Sequence, residues 1–186
     1  MRVITGKARG VTLKTPDGLA TRPTSDRVKE ALFSVIQFDI PYAKVLDLFG
    51  GTGQLGIEAL SRGAKEAVFV DQSEAACKLI KENLKRTKLE QQGKVICSDY
   101  LSYLKRSHER FDIIFLDPPY AEVFLENSLK MITEIDILQS DGIIVAERPL
   151  GKDIPWDFPG YNRSRDYKYG KTLITIYRKE SPAERA

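Results

Sequence analysis

Four consecutive residues carry the strongest chemical signal in this chain, Asp117-Pro118-Pro119-Tyr120, directly after the apolar segment 111–116. A buried strand is therefore predicted to end in a carboxylate, two prolines and an aromatic ring. Each proline fixes φ near about −65° and lacks an N–H, so the turn is stiff. Such a corner can hold a flat ring while the carboxylate and a proline carbonyl accept hydrogen bonds from an amino group. The motif predicts chemistry on a nucleobase amine, and a plain proline-rich turn is the alternative.

A second signal is a glycine-rich loop within segment 47–56, Asp-Leu-Phe-Gly-Gly-Thr-Gly-Gln-Leu-Gly, between a predicted strand and a predicted helix. Gly51, Gly53 and Gly56 satisfy the G-x-G-x-x-G spacing of nucleotide-binding loops. Asp71 lies about 20 residues further on, where a ribose-binding carboxylate is expected. A lone match of this kind also fits a tight turn that needs glycine for packing. The strand–loop–helix context and the acidic residue together favour nucleotide binding.

Acidic residues after successive strands indicate which nucleotide is bound. A dinucleotide would place a pyrophosphate at the helix N-terminus, and Asp47 directly before the loop is unfavourable beside phosphates. Asp47 suits the ammonium of a methionine moiety, Asp71 suits ribose hydroxyls, and Asp99 suits an adenine amino group. The only histidine is His108, which leaves a hydride-transfer enzyme without an obvious acid or base. We therefore expect S-adenosyl-L-methionine (AdoMet) as cofactor, with the binding residues Asp47, Phe49, Gly51, Gly53, Asp71, Gln72, Asp99 and Tyr100.

Apolar periodicity predicts the elements that position these residues. Helices are expected at 26–37, 54–62, 73–87, 100–105 and 123–135, and buried strands at 44–49, 66–70, 94–97, 111–116 and 142–146. Continuous Val/Ile runs separated by helices indicate a parallel sheet covered on both faces. Residues 161–169 and 172–178 flank Gly170-Lys171 and predict a hairpin at one sheet edge. The expected fold is α/β, a mostly parallel Rossmann-like sheet with an antiparallel C-terminal hairpin, helices on both faces and a small N-terminal β extension.

The distribution of charge suggests a partner. Net charge is +4 over residues 1–30, −5 over 31–147 and +4 over 148–186. An acidic middle with two basic ends favours a catalytic body flanked by surfaces that contact a polyanion, although ordinary solvated charge is the alternative.

The length of 186 residues fits one ordinary domain. We predict an N-terminal β extension at 1–25 that faces RNA, a catalytic domain at 26–180 and a frayed tail at 181–186. No apolar run approaches the roughly 18 residues that span a bilayer, and the N-terminus does not resemble a signal peptide. The two cysteines lack metal-type spacing. We therefore expect a cytoplasmic monomer with no membrane association and no metal.

Two motifs together, 47–53 and 117–120, resemble the amino-methyltransferase branch of the class I AdoMet-dependent enzymes. Segments 22–33, 55–64 and 169–177 are similar to signatures of RsmD-type methyltransferases, and the similarity extends over nearly the whole chain. Enzymes of this type methylate the exocyclic N2 of one guanine in small-subunit (16S) ribosomal RNA. The resemblance implies a class I methyltransferase fold, that reaction, and ribosomal RNA or a partly assembled small ribosomal subunit as partner.

Residue roles follow from the motifs and the resemblance. Asp117, Pro118 and Tyr120 are the predicted catalytic residues. The Asp117 carboxylate and the Pro118 carbonyl would orient the amine, and the Tyr120 ring would stack on an extruded base. The same motif also suits enzymes that act on adenine N6 in DNA or RNA, which is the alternative reaction, and a non-catalytic RNA-binding module is the alternative class. The predicted substrate-binding residues are Arg2, Lys7, Arg9, Arg22, Thr24, Arg163, Arg165 and Lys168.

Overall fold

The computed structural model describes residues 1–16, 26–119, 122–151 and 158–180, with only the backbone described at Glu122. These residues include five helices and seven strands. The helices are α1 (Asp26–Val35), α2 (Gln54–Ser61), α3 (Glu74–Thr87), α4 (Tyr100–Arg106) and α5 (Glu122–Ile135). The strands are β1 (Lys44–Asp47), β2 (Glu66–Asp71), β3 (Gly93–Cys97), β4 (Phe111–Leu116), β5 (Leu138–Pro149), β6 (Tyr161–Tyr169) and β7 (Thr172–Lys179).

All seven strands belong to one sheet, in the order β3-β2-β1-β4-β5-β7-β6. Strands β1 to β5 run parallel, and β7 lies antiparallel between β5 and β6. The strand order reverses between β1 and β4, and ligands of such sheets bind beyond the carboxyl ends at this point. The predicted parallel sheet with an antiparallel hairpin is confirmed. Its topology brings the loop after β1 and the segment after β4 side by side.

Two apolar cores cover the faces of the sheet. In the first core, residues of α1, α2, α3 and the N-terminal segment pack with strand residues such as Val45 and Phe115. In the second core, residues of α4 and α5 pack with Leu46 and Ile114. Phe33 of α1 contacts Phe115 with 5.8 Å between ring centroids. Because both faces are covered, the central strands are continuous apolar runs in the sequence.

Strand β5 begins earlier than predicted. Leu138 pairs with Phe111, and the register then shifts so that Ile143 pairs with Ile113. The intervening residues 139–141 are exposed and polar. A search for an apolar run therefore finds only the part of β5 that follows this irregularity.

The N-terminal segment forms little regular β structure within the described residues 1–16, where an isolated bridge joins Arg2 and Thr12. Val3 and Leu13 are instead buried in the first core. The segment thus packs onto the helices that cover the sheet, through apolar contacts and through hydrogen bonds from its backbone N–H groups to side chains of α2 and α3.

Candidate active site

The glycine loop joins β1 to α2, and two of its glycines have left-handed backbone conformations, with φ of 54° at Gly51 and 79° at Gly53. The Gly53 N–H donates to the carbonyl of Gly50 at 2.6 Å, which closes a tight turn. A Cβ at Gly56 would lie 2.3 Å from the ring of Phe69 in β2. The first two glycines therefore set the shape of the loop, and the third allows the helix to approach the sheet.

Asp71, the last residue of β2, connects this loop to the neighbouring strand. Its carboxylate accepts hydrogen bonds from the Gly51 N–H at 2.9 Å and the Ser73 N–H at 2.8 Å. Asp71 is half-buried and Gln72 beside it is exposed. Because a carboxylate has about four lone-pair sites, Asp71 retains acceptor capacity for a ligand at the carboxyl edge.

Asp99 lies beyond the end of β3, the next strand of the sheet, and caps helix α4. Its side chain accepts a hydrogen bond from the Ser102 N–H at 2.9 Å. Hydrogen bonds from Ser102 hold the pKa of this carboxyl below its usual range. Asp99 is exposed, so a charged acceptor stands at the edge of the sheet one strand away from Asp71.

Three partly buried aromatic rings form a cluster close to these acids. Ring centroids lie 5.2 Å apart for Phe49 and Tyr100, 5.6 Å for Tyr100 and Phe124, and 6.5 Å for Phe49 and Phe124. Phe49 and Tyr100 were predicted as binding residues, whereas Phe124 of α5 was missed. The available signal was its place in the helix that directly follows the Asp117 motif. The cluster joins elements that follow β1, β3 and β4, and it offers an apolar wall for a planar ring.

Asp47 ends β1 but is only 2% exposed. Its carboxylate accepts a hydrogen bond from the Gly56 N–H at 3.1 Å. Burial raises the pKa of Asp47 to about 7, and the negative charge of Asp71 contributes to the increase. In this geometry Asp47 holds the first turn of α2 against the sheet. Direct contact between Asp47 and the cofactor ammonium stays a prediction.

The buried Asp47 should make stability depend on pH. Its pKa is about 7 in the folded protein and near 4 in an unfolded chain. The native state therefore binds the extra proton between these values, and stability falls as pH rises through this window because the buried carboxyl must ionise. We expect Asp47→Asn to lose less stability than wild type between pH 5 and pH 8, measured by urea unfolding of the cofactor-free protein. Equal losses in the two proteins would contradict this assignment.

Asp117 and Pro118 follow β4 and are half-buried at the same carboxyl edge. Burial raises the pKa of Asp117 well above its usual range, and the negative charges of Glu147 and Asp47 raise it further. The third predicted catalytic residue, Tyr120, lies outside the described residues. The structure thus brings the Asp117 carboxyl to the switch point of the sheet, near the glycine loop.

Glu147 was not predicted as a site residue, although it influences Asp117. It is half-buried in β5, the strand that pairs with β4. The signal was present in the sequence, because Glu147 directly follows the predicted fifth strand, 142–146, just as Asp117 follows the fourth. An acidic residue therefore follows the apolar run of each of the five parallel strands.

The predicted substrate-binding residues of the N-terminal segment are exposed and lie near α1 and α2. Arg2 pairs with Asp26 at 3.3 Å between nitrogen and oxygen, and Lys7 and Arg9 are also exposed. Arg22 and Thr24 lie outside the described residues.

The other predicted substrate-binding residues are exposed on the edge strand β6. Arg163 forms an ion pair with Asp166, and the Arg165 guanidinium lies 5.6 Å from the centre of the Tyr167 ring. Lys168 follows on the same strand. Strand β6 lies beyond β7 at the far end of the sheet from β3. The described basic residues therefore form two groups, one on the N-terminal segment and one on the edge strand β6.

The described parts of the chain contain no group of three or more histidine, cysteine, aspartate or glutamate residues arranged to hold a metal ion. Among the described helices, none combines the length and the apolar character that crossing a bilayer requires.

The sheet order, the glycine loop and the acids after successive strands define a Rossmann-like class I methyltransferase fold. A family model described as "Conserved hypothetical protein 95" matches residues 1–178. The chain therefore belongs to this family, which is that of the RsmD-type methyltransferases. The resemblance inferred from the sequence motifs is confirmed at the level of the family.

Individual relatives are similar to this chain over almost its full length. The Bacillus subtilis (strain 168) protein YlbH, named provisionally as an rRNA methyltransferase, is 41% identical over an alignment of 182 residues, and the match covers 96% of this chain and 99% of that protein. Ribosomal RNA small subunit methyltransferase D of Escherichia coli (strain K12) is 31% identical over 184 residues, covering 99% of this chain and 92% of the relative. A solved structure of the Escherichia coli protein yhhF, described provisionally as a methyltransferase, has a TM-score of 0.88 at 32% identity and covers 97% of this chain and 98% of that chain.

Proposed function

We propose that this chain transfers a methyl group from AdoMet to the exocyclic N2 of a guanine in small-subunit (16S) ribosomal RNA. The observation that carries the proposal is the position of Asp117 beside the glycine loop, in a chain similar over 184 residues to ribosomal RNA small subunit methyltransferase D of Escherichia coli. An adenine-N6 enzyme would share the Asp-Pro-Pro-Tyr motif. Membership of the RsmD-type family supports guanine N2 as the target.

The chemistry of the carboxyl edge fits AdoMet. In this proposal Asp71 accepts hydrogen bonds from ribose hydroxyls and Asp99 from the adenine amino group, with Phe49 and Tyr100 along the adenine ring. A Cβ at Gly51 would have its nearest neighbour 3.9 Å away, so the loop backbone is open to close approach by a ligand. When bound, AdoMet supplies a positively charged sulfonium whose methyl group is electrophilic, and nearby carboxylates favour that charge.

Asp117 and Pro118 would activate the target amine. An exocyclic amine is a weak nucleophile because its lone pair is delocalised into the ring. Hydrogen bonds from its two N–H groups to the Asp117 carboxylate and the Pro118 carbonyl would favour a pyramidal nitrogen and direct the lone pair at the methyl carbon. Positioning of this kind contributes up to about 7–11 kcal/mol in the best cases. Transfer of the methyl group would release S-adenosyl-L-homocysteine and leave positive charge on N2, and Asp117 would stabilise that charge before the proton leaves to water or to Asp117.

Tyr120 is proposed to stack on the extruded guanine. We expect Tyr120→Ala to lower kcat/KM by roughly 10- to 100-fold, because stacking on an aromatic ring contributes about 1–3 kcal/mol per base. Tyr120→Phe retains the ring and should stay within about 3-fold of wild type. Steady-state kinetics on small-subunit particles would measure both variants. An inactive phenylalanine variant would show that the hydroxyl group is required and that stacking is the wrong account.

The two basic groups are proposed to contact RNA phosphates. Each contact should then make the plot of log binding constant against log salt concentration steeper by about 0.7–0.9. The net charge of the whole chain is only +3, which is modest for a protein that must locate one site on free RNA. We therefore infer that the substrate is a partly assembled small subunit, on which assembled RNA adds shape to the recognised surface. The protein is proposed to act on it as a monomer in the cytoplasm.

Methylation with tritiated AdoMet tests the reaction directly. The purified chain would be incubated with small-subunit particles and with 16S RNA from cells that lack the gene, and the RNA would be digested to nucleosides. We expect the label in N2-methylguanosine. Label in N6-methyladenosine, or no label above a control without protein, would contradict the proposed function.

A further inference from the structure

We propose that Glu147 accepts a hydrogen bond from N1–H of the target guanine and so makes the active site selective for guanine over purines whose N1 carries a lone pair. The proposal rests on the proposed function, since it assigns a specificity-determining residue to the same site. It assigns to β5 a part in substrate recognition beside the Asp-Pro-Pro-Tyr motif that follows β4.

The strand register brings Glu147 next to Asp117. Strands β4 and β5 are parallel neighbours, and Leu116 pairs with Ala146 at the end of their ladder. Asp117 and Glu147 each follow their paired residue by one position. Asp117 and Glu147 therefore lie side by side just beyond this ladder, with about one interstrand spacing of 4.8 Å between their backbones.

The alternation of side chains puts both carboxyl groups on the same face of the sheet. Phe115 and Val145 belong to the first core, whereas the residues that follow them in each strand belong to the second core. Successive side chains of a strand point to opposite faces, which puts Glu147 on the side of the first core, where its partner Ile174 in β7 also lies. Continuing the alternation of β4 by one residue puts Asp117 on the same side. Both residues are half-buried.

The electrostatic environment agrees with this geometry. After burial, the negative charge of Glu147 is the largest contribution that raises the pKa of Asp117. Two carboxyl groups in such proximity disfavour simultaneous ionisation, and hydrogen bonds from a ligand to the charged forms reverse that effect. The site thus favours a ligand that presents several N–H donors side by side.

Guanine presents such a row of donors. Its N1–H and its 2-amino group are adjacent on the Watson–Crick edge, so two neighbouring carboxylates and the Pro118 carbonyl would accept all three hydrogens. Adenine instead has a lone pair on N1 beside its amino group, and that lone pair would face the Glu147 carboxylate. A site built to accept a particular N–H discriminates strongly against an analogue that lacks it.

Base analogues at the modified position test the assignment without changing the protein. The guanine would first be located by mass spectrometry, and 16S RNA with one altered base would be prepared by splinted ligation of a synthetic oligonucleotide. 2-Aminopurine retains the 2-amino group but has a lone pair on N1. 6-Thioguanine retains both N1–H and the amino group while replacing O6. We expect wild type to methylate 6-thioguanine within about 10-fold of guanine and 2-aminopurine at least 100-fold more slowly. Comparable rates on guanine and 2-aminopurine would overturn the proposal.

The variant Glu147→Gln provides the second readout. A glutamine amide can donate to a lone pair on N1, so the ratio of kcat/KM for guanine over 2-aminopurine should fall by at least 10-fold relative to wild type. Affinity for AdoMet, measured by calorimetry, should stay within about 2-fold. Glu134→Gln, the same change at an exposed position of α5, is the matched control and should preserve the wild-type ratio.

The outcomes separate this proposal from the proposed function. If Glu147→Gln slows both substrates equally, Glu147 supports the structure and does not recognise N1–H, which overturns the inference while N2-methylguanosine formation by wild type still stands. If wild type forms no N2-methylguanosine on any substrate, the proposed function itself is contradicted.

Discussion

Asp117→Ala is expected to lower single-turnover methyl transfer by roughly 10²-fold or more while AdoMet affinity stays within about 2-fold of wild type. The reason is the position of the carboxyl group. It follows β4 at the switch point of the sheet, whereas the predicted AdoMet contacts lie on the elements that follow β1, β2 and β3. Removing the Asp117 carboxylate takes away one acceptor of the target amine and the charge that stabilises N2 as it becomes positive, but it removes no expected contact to the cofactor.

Rapid-quench measurements with enzyme in excess over small-subunit particles would give the rate of the chemical step, and calorimetry would give AdoMet affinity. Glu134→Ala, which truncates an exposed carboxylate of α5, is the control and should be indistinguishable from wild type. Because the pKa of Asp117 is raised, the wild-type rate should increase with pH as this carboxyl ionises. A rate of methyl transfer near that of wild type in Asp117→Ala would contradict the proposed role of the Asp117 carboxylate.

The largest expected effect on stability comes from Glu58 of α2. Glu58 and Lys29 of α1 are both 0% exposed, with 3.5 Å between the Lys29 Nζ and a carboxylate oxygen. The Glu58 carboxylate also accepts hydrogen bonds from the backbone N–H groups of Ile4 and Thr5 at 2.8 and 3.0 Å, and from the Arg62 Nε at 2.8 Å. One buried carboxylate therefore links α1, α2 and the N-terminal segment. Breaking a buried ion pair by removing one partner costs about 3–5 kcal/mol.

We expect Glu58→Ala to lower the free energy of unfolding by about 3–5 kcal/mol, because it leaves the Lys29 ammonium buried without its ion-pair partner, although the carbonyl of Arg2 still accepts a hydrogen bond from it at 2.5 Å. Urea unfolding at pH 7 measures this change. The matched control is Glu82→Ala, which removes an exposed ion pair with Lys14 and should have a much smaller effect, because solvent screens exposed ion pairs. Equal effects of the two substitutions would show that the buried pair does not hold these elements together.

The sequence predicts the sheet and its carboxyl edge well, for a physical reason. A strand such as β4 is buried on both faces, so its apolar run begins and ends where the strand does, and Asp117 is visible at once as the first polar residue beyond it. The same logic located Asp71 and Asp99. Strand β5 was predicted too short because residues 139–141 are polar and exposed, and periodicity detects only the buried part of a strand.

Contacts between distant segments could not be predicted. Glu58 of α2 is buried, and its carboxylate accepts hydrogen bonds from the N-terminal segment, a contact that no local pattern indicates. Asp47 lies inside the predicted first strand, 44–49, and only the structure shows that β1 ends at Asp47 and that its carboxylate accepts a hydrogen bond from the Gly56 N–H. Glu147 was missed because its proximity to Asp117 depends on the pairing of β5 with β4. Predicting that pairing requires the order of the strands in the sheet as well as their positions in the sequence.

Nucleoside mapping in cells tests the central claim most directly. The gene would be deleted in the parent organism, and small-subunit RNA would be analysed by mass spectrometry after restoring either wild type or Asp117→Ala. We expect one N2-methylguanosine to disappear on deletion, to return with wild type and to stay absent with Asp117→Ala. An unchanged set of N2-methylguanosines after deletion, or full restoration by Asp117→Ala, would contradict it.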